Sequence, residues 1–263
     1  QPHMRRYLQQ FGRVYSCHDT DLPESINAQP FLPWMINANH GPGVWSRHHR
    51  DFNWLTQEHR LNKTRTISVI CSSQSWTPTH RMRFRFVSQL KEHFKDALDW
   101  FGNGVQPIDE KWDALAPYRF TIALENGNAT NLVTEKILDP FLAWTVPIYW
   151  GAENISEIFD SDGLEIINVR DVRGSIETIE RVLEEKPYES FVPALDKNRK
   201  AVLGELNIFN RMMDIVENWK EPASSPANVR ISRSQALLSR RDRNYQRLLR
   251  HLTRVNRRVR KLM

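Results

Sequence analysis

A chain of 263 residues with 40% hydrophobic and 26% charged residues is long enough to bury a sizeable core and has an ordinary globular composition. Its many prolines and the lack of any run near the roughly 20 apolar residues that cross a bilayer exclude a membrane-embedded helical fold. The two cysteines, Cys17 and Cys71, are too few for a structural zinc site, which takes about four ligands, and a disulfide between them is not expected in a chain with such a core.

Residues 1–63 are rich in Pro, Asn, His and Trp, and only FGRVYSCHDTDL reads as a strand and turn. From residue 64 the pattern becomes regular. TISVIC (66–71) is a short β-branched run that predicts a buried strand. Over residues 80–94 helical spacing places Arg83, Phe86, Val87, Leu90 and Phe94 on one face. ALDWFG returns to strand and ends at the turn residues Gly102, Asn103 and Gly104, and a helix is predicted over 110–115. RFTIALEN (119–126) is a strand, VTEKILDPFLAW a helix, VPIYWG and GLEIINV further strands. Helices over 175–184 and 196–219 close the body. Strands alternating with helices of these lengths predict an α/β fold with a parallel sheet covered on both faces, its loops after Cys71, Gly102 and Asn126 converging on one crevice.

The stretch from Tyr118 to Gly151 has more chemical content than its periodicity requires. A strand ends in Glu125 and Asn126, and a polar loop leads to Thr134, Glu135 and Lys136 in a helix's first turn. Such a helix start attracts phosphate, Lys136 adds a full positive charge, and Glu135 is able to accept hydrogen bonds from ribose hydroxyls. Arg83, with Arg81 as its close rival, is placed to meet the same phosphates. Taken singly each has a plainer reading: dipole compensation for Glu135, a surface cation for either arginine.

Together, YRFTIALEN, VTEKILDPFLAW and VPIYWG, preceded by THRMRFRFVSQL and DWFGNG, resemble the donor-binding signature of the α-1,3/4-fucosyltransferases, the family-10 glycosyltransferases. The resemblance implies a GT-B architecture in which this Rossmann-like sheet is the nucleotide-sugar domain. It implies GDP-fucose as donor, a glycan hydroxyl as acceptor, inversion in a single displacement, and no required metal or other cofactor. Arg83 (or Arg81) and Lys136 match phosphate-contacting positions, Asn126 and Glu135 match positions holding the ribose and sugar, and Tyr118 and Glu125 match positions of structural support.

The sequence departs from the pattern at Leu132, where an aromatic residue is usual, at Trp144, where a small residue is usual, and at Pro140 inside the helix. The general base that an inverting reaction needs belongs, by the resemblance, to an amino-terminal acceptor-side domain and is expected upstream of Gln1. Asp19, Asp21 and Glu24 read as loop-surface acids.

The expected organisation is therefore a remnant of the acceptor-side domain (1–63), the donor domain (64–220), a linker (221–228) and a basic helical tail (229–263). The tail carries twelve Arg or Lys against Asp242 alone, which leaves a body of 25 basic and 30 acidic residues. Leu238, Tyr245, Leu252 and Val259 recur every seven residues in it. That stripe suits an anionic membrane surface or homo-oligomerisation, whereas nucleic acid is disfavoured by the acidic body. Three sequons begin at Asn62, Asn128 and Asn154. Because two lie in or near the candidate donor site, a cytoplasmic setting peripheral to membrane is expected, with a Golgi lumen as the alternative.

Overall fold

In the computed structural model, which describes residues 2–18, 20–23, 25–30, 33–36, 50–57, 62–74, 76–218 and 231–232, the alternating runs after residue 64 form one parallel sheet. The chain divides into two units, Gln1–Ala28 with Lys220–Met263, and Gln29–Trp219. In the first, helix α1 (Pro2–Leu8) precedes strand β1 (Val14–Ser16), which pairs in parallel with β2 (Ser25–Asn27). Asp21 is exposed on the connecting loop with φ 52°, and Asp19 and Glu24 lie outside the described residues. The heptad tail after residue 232 lies outside them too.

The second unit contains α2 (Phe52–Thr56), β3 (Arg65–Ile70), α3 (Pro78–Phe94), β4 (Leu98–Phe101), β5 (Tyr118–Leu124), α4 (Glu135–Leu142), β6 (Val146–Trp150), α5 (Ile155–Ile158), β7 (Glu165–Ile166), α6 (Val172–Glu185), α7 (Tyr188–Leu203) and α8 (Ile208–Glu217). All neighbouring strands of the sheet are parallel, in the order β4-β3-β5-β6-β7. Ile67 is aligned with Phe120, and Phe120 with Val146. Strands covered on both faces need apolar residues throughout rather than in alternation. Accordingly every residue of β6 is buried, and Ile67, Ser68 and Val69 are buried in β3. Pro147 is tolerated inside β6 because β7 pairs only with Ile148 and Tyr149, so the missing N–H meets no strand there. Right-handed crossovers step outward in opposite directions from β3 and β5 and so place α3 and α4 on opposite faces. Helix α3 packs with α6, and α4 with α7.

Several elements differ from expectation. The sheet unit starts at Gln29, well before residue 64, because Ile36 and Leu55 are fully buried in its core. The buried Arg199 guanidinium also binds the carbonyls of Leu55 and Gln57. The helix expected over 110–115 is a single 3-10 turn, Lys111–Ala114, and GLEIINV pairs over only two residues at the sheet edge. The long helical segment is two helices, since α7 starts at Tyr188 and stops at Gly204, and Asn207 caps α8 through its side chain. A flexible, Cβ-free residue at a helix end followed by a capping Asn is a stop and restart. Cys17 and Cys71 are both buried free thiols.

At the amino ends of the strands, Lys63 ties three connections together. Its Nζ donates to Ala116 O (2.9 Å), Ala143 O (2.7 Å) and Thr145 Oγ1 (3.0 Å). Burial pushes the Lys63 amine down to about 6, and these three oxygens surround its nitrogen in place of water. Lys63→Met leaves those acceptors stranded and is expected to cost about 2–4 kcal/mol, measured as the shift in urea midpoint at constant slope.

Candidate functional site

The strand order reverses between β3 and β5, whose following loops diverge and open a crevice beyond the carboxyl ends of the sheet. A cleft of about 290 Å³ lies there. Its walls are Cys71 and Ser72 after β3, Gly102 and Asn103 after β4, and Asn126 after β5. The first two turns of α3 and α4 complete it with His80, Arg83, Glu135, Lys136 and Asp139, and Lys111 also lines it. The expected convergence of three loops is therefore observed. It depends on Gly102: at φ +140° a Cβ there would stand 2.7 Å from the Cys71 carbonyl oxygen, so only glycine lets the two loops meet.

Of the two rival arginines, only Arg83 reaches the cleft. Two residues along a helix turn the side chain by about 200°, and Arg81 is exposed on a separate groove with Pro78, Arg85 and Gln89. Arg83 is buried at 8% exposure, and its Nη1 donates to Asn126 Oδ1. Among the described residues no carboxylate pairs with it, and its Nε has no partner. A buried guanidinium without a counter-charge is costly unless an anion joins it.

The start of α4 is held by Glu125. This carboxylate is fully buried and accepts from Thr134 N (2.9 Å) and Thr134 Oγ1 (2.7 Å). Burial raises its pKa, partly offset by Lys136 and Thr134. Thr134 in turn caps the helix, its hydroxyl accepting from Lys136 N (3.3 Å). Lys136 Nζ lies 2.9 Å from Glu135 Oε1 and 3.8 Å from Glu125 Oε2. Burial would raise Glu135, but Lys136 and Lys111 hold its carboxyl down at about 2. Glu135 thus remains an acceptor across the neutral range. Tyr118 sits at the opposite end of β5, donating to Asp99 Oδ2 (2.8 Å), and its phenol is pushed up to about 12 by burial and that carboxylate. Glu125 and Tyr118 accordingly support the architecture without lining the cleft.

Lys111 and Asp139 were not foreseen. Lys111 Nζ donates to Asp139 Oδ2 (2.8 Å) and lies 3.6 Å from Glu135, and Met35 N donates to Asp139 Oδ1 (2.7 Å). Burial works against the Lys111 charge, but the two carboxylates outweigh it and raise its pKa. Asp139 follows Glu135 by four residues on α4, a spacing that puts both on one face and was legible in the sequence. Lys111 has no such local signal. His80, three residues before Arg83, was likewise available from helical spacing.

The three departures from the family pattern find physical places. Leu132 lies outside the cleft, its carbonyl accepting from Tyr149 Oη (3.1 Å). Pro140 lines the cleft late in α4, a helix of only eight residues. Trp144 has φ 55°, the left-handed position after a helix that favours glycine. Its ring lies 4.9 Å from the Arg199 guanidinium carbon, and its carbonyl accepts from Tyr188 Oη (2.7 Å). Those contacts offset the backbone strain. Of the sequon asparagines, Asn154 is committed to the loop after β5 through Asn131 N (2.8 Å), while Asn128 lines a neighbouring groove of about 400 Å³ with Glu153 and Arg170. Among the described residues no three His, Cys, Asp or Glu side chains cluster as metal ligands.

The chain is thus an α/β protein with a doubly wound parallel sheet and cations gathered at the switch point, where sheets of this kind bind their ligands. Residues 61–189 match the model for Glycosyltransferase family 10 (fucosyltransferase) C-term. The chain is 32% identical to Alpha-(1,3)-fucosyltransferase FucT of Helicobacter pylori across 35% of this chain and 21% of that protein. It is 22% identical to GDP-fucose protein O-fucosyltransferase 3 of Danio rerio across 64% of this chain and 41% of that protein. The chain thus spans less than half the length of these curated relatives. A solved α1,3-fucosyltransferase with GDP aligns at a TM-score of 0.49 and 17% identity, covering 79% of this chain and 70% of that one.

The Lys111–Asp139 pair is expected to reveal itself through uncompensated charge. Lys111→Met leaves Asp139 buried and unpaired, costing about 3–5 kcal/mol, and Lys111→Met with Asp139→Asn, which keeps the acceptor for Met35 N, recovers most of it. Chemical denaturation of the three proteins in parallel measures this.

Proposed function

We propose that residues 29–219 form the donor-binding domain of a fucosyltransferase, holding GDP-fucose in the cleft between β3 and β5. The observation that carries this reading is Arg83: a buried cation at the switch point, without a carboxylate partner among the described residues, facing the cleft beside Lys136. In this reading Arg83 and Lys136 bind the diphosphate, and Asn126 orients Arg83 while contacting the ribose region. Glu135, kept ionised by its lysines, accepts sugar or ribose hydroxyls. Preorganised cations of this kind offset the charge that develops on a departing nucleoside diphosphate. The reaction is a single displacement with inversion, in which the carboxylate that deprotonates the acceptor comes from the acceptor-side domain.

The acceptor hydroxyl belongs to a glycan in the first reading. A second reading, a polypeptide hydroxyl, is supported by the similarity to protein O-fucosyltransferases over 64% of this chain. Neither reading assigns a role to the basic tail, for which attachment to an anionic membrane surface is the proposal its composition favours.

Calorimetric titration with GDP is expected to give binding to the wild type, and Lys136→Ala or Arg83→Ala is expected to weaken it by about 2–4 kcal/mol, roughly thirty-fold to a thousand-fold. Unchanged dissociation constants in folded variants would remove the assignment. Turnover of GDP-fucose with a lactosamine-type acceptor, compared with a folded polypeptide acceptor, separates the two acceptor classes.

A further inference from the structure

His80 is a side chain of the cleft to which the donor reading gives no task. It lies one helical turn before Arg83, so both stand on the face of α3 that lines the cleft. Its backbone N–H is taken by the capping hydroxyl of Thr77 (3.1 Å), which sets the first turn of the helix. Its ring Nδ1 is buried and without a hydrogen-bond partner among the described residues, as is Nε of the nine-tenths-buried Arg83. Buried polar atoms are almost always satisfied, so two open ones on the same wall mark a place for a polar ligand.

The charged neighbours define the sign of that ligand. Arg83 on its own helix and Lys136 on α4 both act on His80 as cations. Glu135 is engaged by Lys136 and Lys111, and Glu125 is engaged by Thr134. Cys71, at the end of β3, is kept a neutral thiol by burial, with Arg83 opposing only in part. Burial first, and then the fields of Arg83 and Lys136, hold the imidazole below its ordinary value of 6.5. In the ligand-free protein it is therefore neutral around pH 7.

We propose that His80 is a third cationic contact for the donor diphosphate, its imidazole taking a proton from solvent as the diphosphate seats beside Arg83 and Lys136. The inference rests on the donor reading of the cleft. An anion between the three side chains reverses the field at His80, so the charged imidazolium becomes the favoured form and both of its nitrogens become donors. Binding then consumes a proton. By linkage, affinity rises as pH falls through the bound-state value and levels off below the free-state value, by up to about tenfold for each unit separating them.

The test is calorimetry with GDP-fucose, whose diphosphate has no terminal phosphate to titrate near neutrality, between about pH 6 and pH 8 in two buffers of different protonation enthalpy. The wild type is expected to bind several-fold tighter at the lower pH, with a heat that depends on the buffer. His80→Asn, checked for an unchanged thermal midpoint, is expected to bind at the weaker, high-pH level throughout with no buffer dependence. His80→Lys, a permanent cation, is expected to bind tightly at both pH values. If His80→Asn does not fold, the wild-type proton uptake and the His80→Lys profile still decide the matter. Wild-type binding that Lys136→Ala abolishes, but whose affinity and heat ignore pH and buffer, overturns the role of His80 and leaves the donor site standing. So does a His80→Asn protein that keeps the wild-type pH dependence. No GDP-fucose binding at any pH overturns both.

Discussion

A carboxylate with no exposure to water is expensive, and Glu125 is such a group at the end of the central strand β5. Its cost is met by the backbone and hydroxyl of Thr134, nine residues on, and by the nearby Lys136 charge. That clamp closes the loop after β5 against the start of α4. It thereby determines where Asn126, Glu135 and Lys136 stand, and Asn126 in turn orients Arg83 from across the switch point. Gly151 shows how tightly the clamp is packed: a Cβ there would stand 2.4 Å from Glu125 Cγ. The part of the motif that never touches the cleft governs the part that does.

The electrostatics of the cleft follow from which charges are already answered. Lys111 and Asp139 neutralise each other, Lys136 and Glu135 form a second pair, and Glu125 is held by hydrogen bonds. Arg83 is left over, buried, with no carboxylate partner among the described residues. A low-dielectric wall with one unanswered cation and two cations poised nearby favours an anion far more than exposed basic residues do. The exposed Arg81, only two residues away in sequence, contributes nothing comparable because solvent screens it.

Long-range ties make the site rigid. Met35 N donates to Asp139, Arg50 stacks on Trp112 and pairs with Glu110 at 2.9 Å, and Arg199 holds the carbonyls at the end of α2. The segment that reads as irregular in the sequence is thus a brace behind α4 and the 3-10 turn that supplies Lys111. A polar, Pro-rich stretch is able to do this because Ile36 and Leu55 are wholly buried in the core and Trp34 and Trp54 pack against it.

By itself the sequence determined strands β3 to β6 with helices α3 and α4, the parallel sheet, the loops that meet and the candidate residues Arg83 or Arg81, Asn126, Glu135 and Lys136. The elements are written in local spacing, as apolar runs and helical periodicity, whereas the candidate residues, each with a plainer reading alone, stood out through their joint resemblance to a family motif. What the tertiary structure decided was everything set by groups distant in the chain. It chose Arg83 over Arg81 by helix rotation, gave Glu125 and Tyr118 their supporting places, and brought Lys111 to Asp139 from 28 residues away. It also let Trp144 occupy a left-handed position, because Arg199 and Tyr188 hold it there. Local pattern specifies what an element is, whereas the charge and burial of a side chain depend on neighbours that only folding supplies.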